Sequence, residues 1–153
     1  MTFIKAQAYA YAFSELVIIM ENVFKFLKEN PLQYCATVGL DGRPKVRPFQ
    51  MMYHSGGDLF YCTGAKKDVY AELVNNPFIE ISVSTMERWL RIRGYVVWVE
   101  DIAAKVKVIE ASPLVKSIYK TADNPDLKVF YIADAQAVIA DFSGKPPEIY
   151  RLN

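Results

Sequence analysis

The sequence predicts one mostly β domain, an antiparallel barrel that carries a few short helices. Segments rich in valine, isoleucine and aromatic residues recur along the chain, and several of them alternate between apolar and polar positions as strands do. Turn sequences such as Asp41-Gly42 and Ser55-Gly56-Gly57-Asp58 separate consecutive segments and favour antiparallel meanders. With 153 residues, 52% of them hydrophobic, the chain is long enough for a single core.

The first predicted element that belongs to this domain is an amphipathic helix over residues 20–29. Met20, Val23, Phe24 and Leu27 follow the i, i+3, i+4, i+7 spacing of one helix face. Asn30-Pro31 ends the helix, because the residue before a proline avoids helical backbone angles. We therefore expect residues 1–19 to form an N-terminal extension and residues 20–153 to form the domain.

The strands follow from alternation and from their bounding turns. They are predicted over residues 33–40, 44–53, 59–63, 78–85, 89–100, 129–142 and 148–152. Helices are predicted between them over residues 66–75, 102–111 and 114–121, where apolar residues return to helical spacing and Pro113 separates the last two.

Composition excludes several classes of function. The formal net charge is only +1, so nothing attracts the chain generally to nucleic acid or to an anionic membrane. Cys35 and Cys62 form no metal-ligand pattern and His54 is the only histidine, so we expect no metal site and a reducing, cytoplasmic setting. There is also no GxGxxG dinucleotide fingerprint.

A cluster of cations precedes the helix predicted over residues 66–75. Lys66 and Lys67 fall in its predicted first turn, after Thr63-Gly64-Ala65. Lysines are unfavourable at the positive end of a helix dipole, and a bound anion would remove that conflict. Free backbone N–H groups, a threonine hydroxyl and two ammonium groups therefore predict a phosphate cradle here.

Three segments together resemble the pyridoxamine 5'-phosphate oxidase-like family of FMN-binding split barrels. They are Arg43-Pro44-Lys45-Val46-Arg47-Pro48-Phe49, Phe60-Tyr61-Cys62-Thr63-Gly64-Ala65-Lys66-Lys67 and Trp89-Leu90-Arg91-Ile92-Arg93-Gly94. The resemblance covers roughly residues 20–152. It implies a six-stranded antiparallel split barrel with peripheral helices, and a homodimer whose sites lie at the interface.

The resemblance also implies the ligands of the cofactor FMN. Arg47, Lys67 and, second to it, Lys66 would hold the phosphate together with Thr63. Pro48 and Phe49 would lie near the flavin ring. For Arg47 an ion pair with a nearby carboxylate is the alternative, because a buried charge needs a partner.

The resemblance places two residues of a later strand beside the flavin, often across the dimer interface. Trp89 would lie there, although core or interface packing is the more common fate of such a tryptophan. Arg91 would meet the cofactor, the partner chain or only solvent, and the same choice applies to Arg93.

The expected function is an FMN-dependent oxidoreductase acting on a small molecule, with NAD(P)H as a transient reductant. The flavin would do the redox chemistry, so no catalytic side chain is assigned. The alternative from another class is a non-enzymatic protein that binds or senses flavin, haem or deazaflavin.

Overall fold

The computed structural model describes residues 20–153, and the predicted extension over residues 1–19 lies outside them. Eight strands form one sheet: β1 (Gln33–Val38), β2 (Pro44–Phe49), β3 (Tyr53–Ser55), β4 (Asp58–Gly64), β5 (Phe78–Ser84), β6 (Arg88–Val99), β7 (Leu127–Asp141) and β8 (Glu148–Arg151). Four helices accompany it: α1 (20–29), α2 (Asp68–Asn75), α3 (Ile102–Ala111) and α4 (Pro113–Tyr119). None of these four helices is long and apolar enough to cross a membrane.

The sheet is antiparallel throughout and curls without closing. Its order is β2-β1-β5-β6-β7-β4-β3, and β8 pairs with the later half of β7. Strands β2 and β3 are neighbours in sequence but lie at opposite ends of this order. Only residues 50–52 join them, so the two ends of the sheet are held close as in a split barrel. The predicted fold class, a mostly β antiparallel split barrel with short peripheral helices, is confirmed.

The strand count differs from the six expected, because β3 and β8 are short additional strands. The segment predicted as one strand over residues 44–53 is divided between β2 and β3. Its first part pairs with β1 as far as Phe49, opposite Gln33. The Met52 backbone N–H instead donates to the Phe60 carbonyl at 2.8 Å, which transfers the chain to the other end of the sheet. One continuous strand cannot pair with β1 at one end of the sheet and with β4 at the other, so the segment is divided.

Helix α1 supplies much of the core inside the sheet. Val23, Phe24 and Leu27 are buried as the helical spacing predicts, and Met20 packs partly against the same cluster. Phe26 is buried as well. Removing such side chains from water is the main favourable term in folding, so this helix belongs to the domain rather than to its periphery.

A second, smaller core lies under α3 and α4. It includes Val108, Val115 and Tyr119, which pack against Leu127 and Val129 of β7. The carboxylate of Asp101 accepts a hydrogen bond from the Ala104 N–H at 2.9 Å and caps α3. The Ser112 hydroxyl caps α4 in the same way. These caps stabilise the starts of both helices, and packing on β7 holds α4 against the sheet.

Candidate functional site

A cleft of about 670 Å³ opens between β2, β4, the start of α2 and α4. Its volume lies within the ~300–1,000 Å³ typical of small-molecule sites. The walls are mostly apolar. The lining residues that were not predicted are Pro31, Leu32, Gln50, Met52, Cys62, Val69, Ser112, Leu114, Val115, Ile118 and Tyr119.

Five of the eight predicted site residues line this one cleft. Arg47, Pro48 and Phe49 come from the end of β2, Thr63 from the end of β4, and Lys67 from the residue that precedes α2. They are separated in sequence by up to twenty positions, and the curl of the sheet brings them together.

The other three predicted residues lie elsewhere in the chain. Lys66 points away from the cleft and forms an exposed ion pair with Asp126, with Nζ 2.8 Å from Oδ2. Trp89 of β6 packs its ring against Phe142, which follows the last residue of β7. Arg91 lies exposed on β6 as well. Neither β6 residue borders the cleft within one chain.

The guanidinium of Arg47 belongs to a buried polar network. Its Nη2 lies 2.8 Å from Oε2 of Glu72, and its Nη1 donates to the Thr37 hydroxyl at 2.7 Å. That hydroxyl in turn donates to the same Glu72 oxygen at 2.6 Å. The ion-pair alternative is therefore realised, and Arg47 still borders the cleft because its side chain remains 22% exposed.

Lys67 provides positive charge that the surrounding residues do not balance. Within residues 20–153 no carboxylate lies within ion-pair distance of its ammonium group, whereas the charge of Arg47 is matched by Glu72. Burial raises the pKa of the adjacent Cys62 thiol to about 11 despite the opposing effect of Lys67, so this thiol stays neutral. The cleft consequently has an uncompensated cation at its polar end.

The start of α2 also faces this end of the cleft. The expected position of the two lysines is corrected here: Lys67 is the N-cap residue and Lys66 precedes it, so neither is in the first turn. No side chain caps this end of the helix. The Tyr70 N–H donates to the Lys67 carbonyl at 2.9 Å, so the N–H groups of Asp68 and Val69 are the ones that keep their capacity to bind an anion.

Two largely buried residues that carry hydroxyl groups complete the polar end. Thr63 is 3% exposed and Tyr119 is 6% exposed, and both line the cleft. Burial raises the pKa of the Tyr119 hydroxyl above its ordinary value, with Cys62 and Asp126 adding to the effect, so it remains a hydrogen-bond donor at neutral pH.

Helix α4 is the part of the site that sequence reasoning missed. Leu114, Val115 and Ile118 have the spacing of one helix face, and the helix itself was predicted. The same spacing is typical of ordinary core packing. Only the position of α4 across from Phe49 and Lys67 makes it a wall of the cleft.

Metal chemistry finds no support in the part of the chain that the structure describes. Residues 20–153 contain no group of three or more His, Cys, Asp or Glu side chains that could hold an ion. His54 stacks on Phe24 with ring centroids 3.8 Å apart, outside the cleft.

Comparison with known families agrees with this arrangement. A model of the family described as Pyridoxamine 5'-phosphate oxidase matches residues 19–139, which is most of the chain. The chain belongs to this family. The match includes all the predicted site residues and the start of α1. No curated protein matches the sequence.

Several solved structures have a fold similar to that of this chain, and three of them are described in different ways. A NimC/NimA family protein from Clostridium acetobutylicum is 29% identical, with a TM-score of 0.78 over 87% of this chain and 92% of that one. An F420 reductase is 26% identical, with a TM-score of 0.53 over 71% and 89%. A heme binding protein from Mycobacterium smegmatis shares the fold at 15% identity and a TM-score of 0.69, over 86% and 57%.

Proposed function

We propose that this protein is an FMN-dependent oxidoreductase that acts on a small molecule. Membership of the pyridoxamine 5'-phosphate oxidase family supports a flavin-binding, oxidoreductase-like role. The observation that carries the proposal is the cleft itself, in which an apolar chamber large enough for a small-molecule cofactor ends in an uncompensated cation and an uncapped helix start.

The residues present fit FMN. Lys67, the free N–H groups of α2 and the exposed edge of Arg47 would hold the phosphate, with the buried Thr63 hydroxyl beside them. Backbone groups near Phe49 would border the ring. When bound, FMN supplies the redox chemistry, and the protein binds it, orients it and limits access of water. The proposed set leaves Lys66 out, because it is paired with Asp126 at the surface.

The proposal includes a homodimer with two equivalent sites. The outer face of the sheet exposes Tyr34, Val46, Tyr95 and Val97, and Arg91 lies on it as well. A second copy would cover this apolar surface and would bring β6 residues such as Arg91 toward the cleft of its partner. Analytical ultracentrifugation tests this, since only a monomer of 17.4 kDa with FMN bound would contradict it.

The decisive experiment compares neighbouring lysines and two flavins. Purified Lys67→Met and its matched control Lys66→Met are titrated with FMN and with riboflavin, which lacks the phosphate. A hydrogen bond to a charged group contributes about 1.5–3 kcal/mol, so Lys67→Met should weaken FMN binding roughly ten- to a hundredfold. Riboflavin binding should be unchanged, and Lys66→Met should behave as the unmodified protein does.

Two results would reject this assignment. Equal loss of FMN and riboflavin would mean that Lys67 does not meet the phosphate, and absence of any flavin binding by the unmodified protein would remove the proposed cofactor. The absorption spectrum of the purified protein distinguishes flavin from haem or deazaflavin, which the names of two structural neighbours put forward as alternatives.

A non-enzymatic flavin-binding or sensor protein is the second candidate. The flavin would supply the redox chemistry in an enzyme, so the residues that line the cleft do not by themselves separate an enzyme from a binding protein. Stopped-flow reduction by NAD(P)H followed by reoxidation with an acceptor separates the two functions. An enzyme completes this cycle repeatedly, whereas a binding protein retains its flavin without turnover.

A further inference from the structure

The Tyr119 side chain is almost fully buried, yet its hydroxyl has no partner. It is 6% exposed and lies in the core under α4, where its ring packs with Val108, Val115 and Leu127. Within residues 20–153 the hydroxyl makes no hydrogen bond, and the hydrogen bond that Asn124 donates at this residue goes to the Tyr119 backbone carbonyl. Because a polar group that is both buried and unpaired is costly, an unpaired hydroxyl is expected to reach solvent or a ligand.

The open space available to this hydroxyl is the cleft. No fully enclosed side-chain nitrogen or oxygen in the described residues lacks a hydrogen-bond partner, so the unpaired Tyr119 oxygen must border accessible space. Tyr119 lines the cleft, and its ring is held from behind by the second core. The hydroxyl is therefore a fixed donor that faces a ligand chamber.

Gly64 locates the hydroxyl relative to the proposed phosphate ligands. A Cβ atom added to Gly64 would lie 2.9 Å from the Tyr119 hydroxyl and 3.6 Å from Cγ of Lys67. The tyrosine oxygen and the lysine side chain thus lie over the same glycine, at the junction of β4 and α2. Gly64 has no side chain that would separate them. Thr63, whose hydroxyl is also buried at the cleft, immediately precedes it.

The charge around Tyr119 permits an anion there. The carboxylate that affects its pKa, Asp126, is paired with Lys66 at 2.8 Å. The neighbouring Cys62 thiol is neutral. The Lys67 side chain reaches the same glycine, with its Cε 3.7 Å from the added Cβ. A protonated phenol and an ammonium group at one end of a cleft can donate to the same anionic oxygen atoms.

We propose that Tyr119 is a binding residue of the site, whose hydroxyl donates a hydrogen bond to the phosphate group of the ligand alongside Lys67. This rests on the proposed function for the identity of the ligand as FMN, although the same hydroxyl would serve any small phosphate-bearing molecule. The second core anchors the ring, so the donor is in place before the ligand arrives and little ordering is needed on binding.

The test removes only the oxygen. Tyr119→Phe keeps the packed ring, and Tyr53→Phe is the matched control, because Tyr53 stacks on Phe60 away from the cleft. Tyr119→Phe should lower FMN affinity roughly ten- to a hundredfold and leave riboflavin affinity unchanged. Its ligand-free melting temperature should not fall, since no protein hydrogen bond is lost. Unchanged FMN affinity, or equal losses for both flavins, would overturn the proposal.

Gly64→Ala provides an independent arm. The added methyl group would push the tyrosine hydroxyl from its position, so FMN affinity should again fall while riboflavin affinity holds. In a Tyr119→Phe background the oxygen that would clash is absent, so adding Gly64→Ala should cause no further loss. A second loss of similar size would mean that Gly64 itself meets the ligand, and the assignment to Tyr119 would be wrong.

A last arm separates this inference from the identity of the cofactor. If the unmodified protein binds neither flavin, the proposed function fails, and inorganic phosphate then decides the role of Tyr119. Stabilisation by phosphate relative to chloride at equal ionic strength, measured by thermal melting and reduced in Tyr119→Phe, would support the phosphate site. No stabilisation, or the same stabilisation in both proteins, would overturn it.

Discussion

The buried pair of Arg47 and Glu72 allows the structural and binding roles of Arg47 to be separated. The Glu72 side chain is only 5% exposed, whereas that of Arg47 is 22% exposed and borders the cleft. Removing one member of a buried ion pair costs about 3–5 kcal/mol, because the other charge is left without a partner. The two single substitutions should therefore be unequal.

Arg47→Met should be the more destabilising change. It leaves the Glu72 carboxylate buried with only the Thr37 hydroxyl as a partner, and we expect a loss of about 3 kcal/mol, the lower end of the range above. For a chain of this size that corresponds to a fall in melting temperature of roughly 6–12 °C. Glu72→Met should cost about 1–2 kcal/mol, since the guanidinium that remains can be hydrated from the cleft.

The double variant Arg47→Met/Glu72→Met completes the cycle. It leaves no unpaired charge, so its cost should be smaller than the sum of the two single costs by about 2 kcal/mol or more. The assay is urea unfolding of the flavin-free protein at one fixed protein concentration, followed by tryptophan fluorescence. Additive losses, or a larger loss for Glu72→Met than for Arg47→Met, would refute the reasoning.

Three other outcomes are expected. Gly57→Ala should destabilise the protein by more than about 2 kcal/mol in urea unfolding, because Gly57 has a φ of +95° and an added Cβ would clash with the Leu152 backbone oxygen. The control Gly42→Ala, at φ +74° with no neighbour within 4 Å, should cost about 1 kcal/mol. Equal costs would contradict this. Stability should fall as pH rises from about 9 to 10, because folding holds the pKa of Cys62 at about 11 and that of Cys35 at about 12, against 9.0 for a free thiol. This range lies below the ordinary pKa of 10.0 of the tyrosines whose pKa burial also raises, so a double Cys→Ala variant should lose most of the slope there. An unchanged slope would show that the thiols are not its cause. A chain that starts at Met20 should bind FMN as the full chain does, and loss of flavin from a folded, dimeric product would make residues 1–19 part of the site.

Alternation and helical spacing in the sequence were sufficient to place most elements. The helix over residues 20–29, the strands of the central sheet and the pair of helices divided at Pro113 occur within a few residues of their predicted bounds. These features depend on near neighbours in the chain, since a strand or helix face is set by the period of its own apolar residues. The positions of Lys66 and Lys67 close to the start of α2 could also be predicted from neighbouring residues in the sequence.

What the sequence could not decide depends on contacts between distant segments. Lys66 and Lys67 are equivalent in sequence, and only Asp126, sixty positions from Lys66, draws that lysine away and leaves Lys67 at the cleft. The ion pair of Arg47 likewise depends on Glu72, which the fold of β2 against β1 and α2 brings within reach.

Contacts between distant segments also divide the strand predicted over residues 44–53 and make α4 a wall of the cleft. The break after Phe49 arises because the two ends of the sheet compete for one segment, which no local pattern records. The sequence did not mark Tyr119 as a residue of the cleft. An apolar helix face has the same sequence pattern whether it packs on a core or borders a cleft. The sequence by itself determined the fold class and the residue types of the cradle. Only the tertiary structure decided which of those residues meet, because burial and pairing are properties of the folded sheet rather than of neighbouring residues.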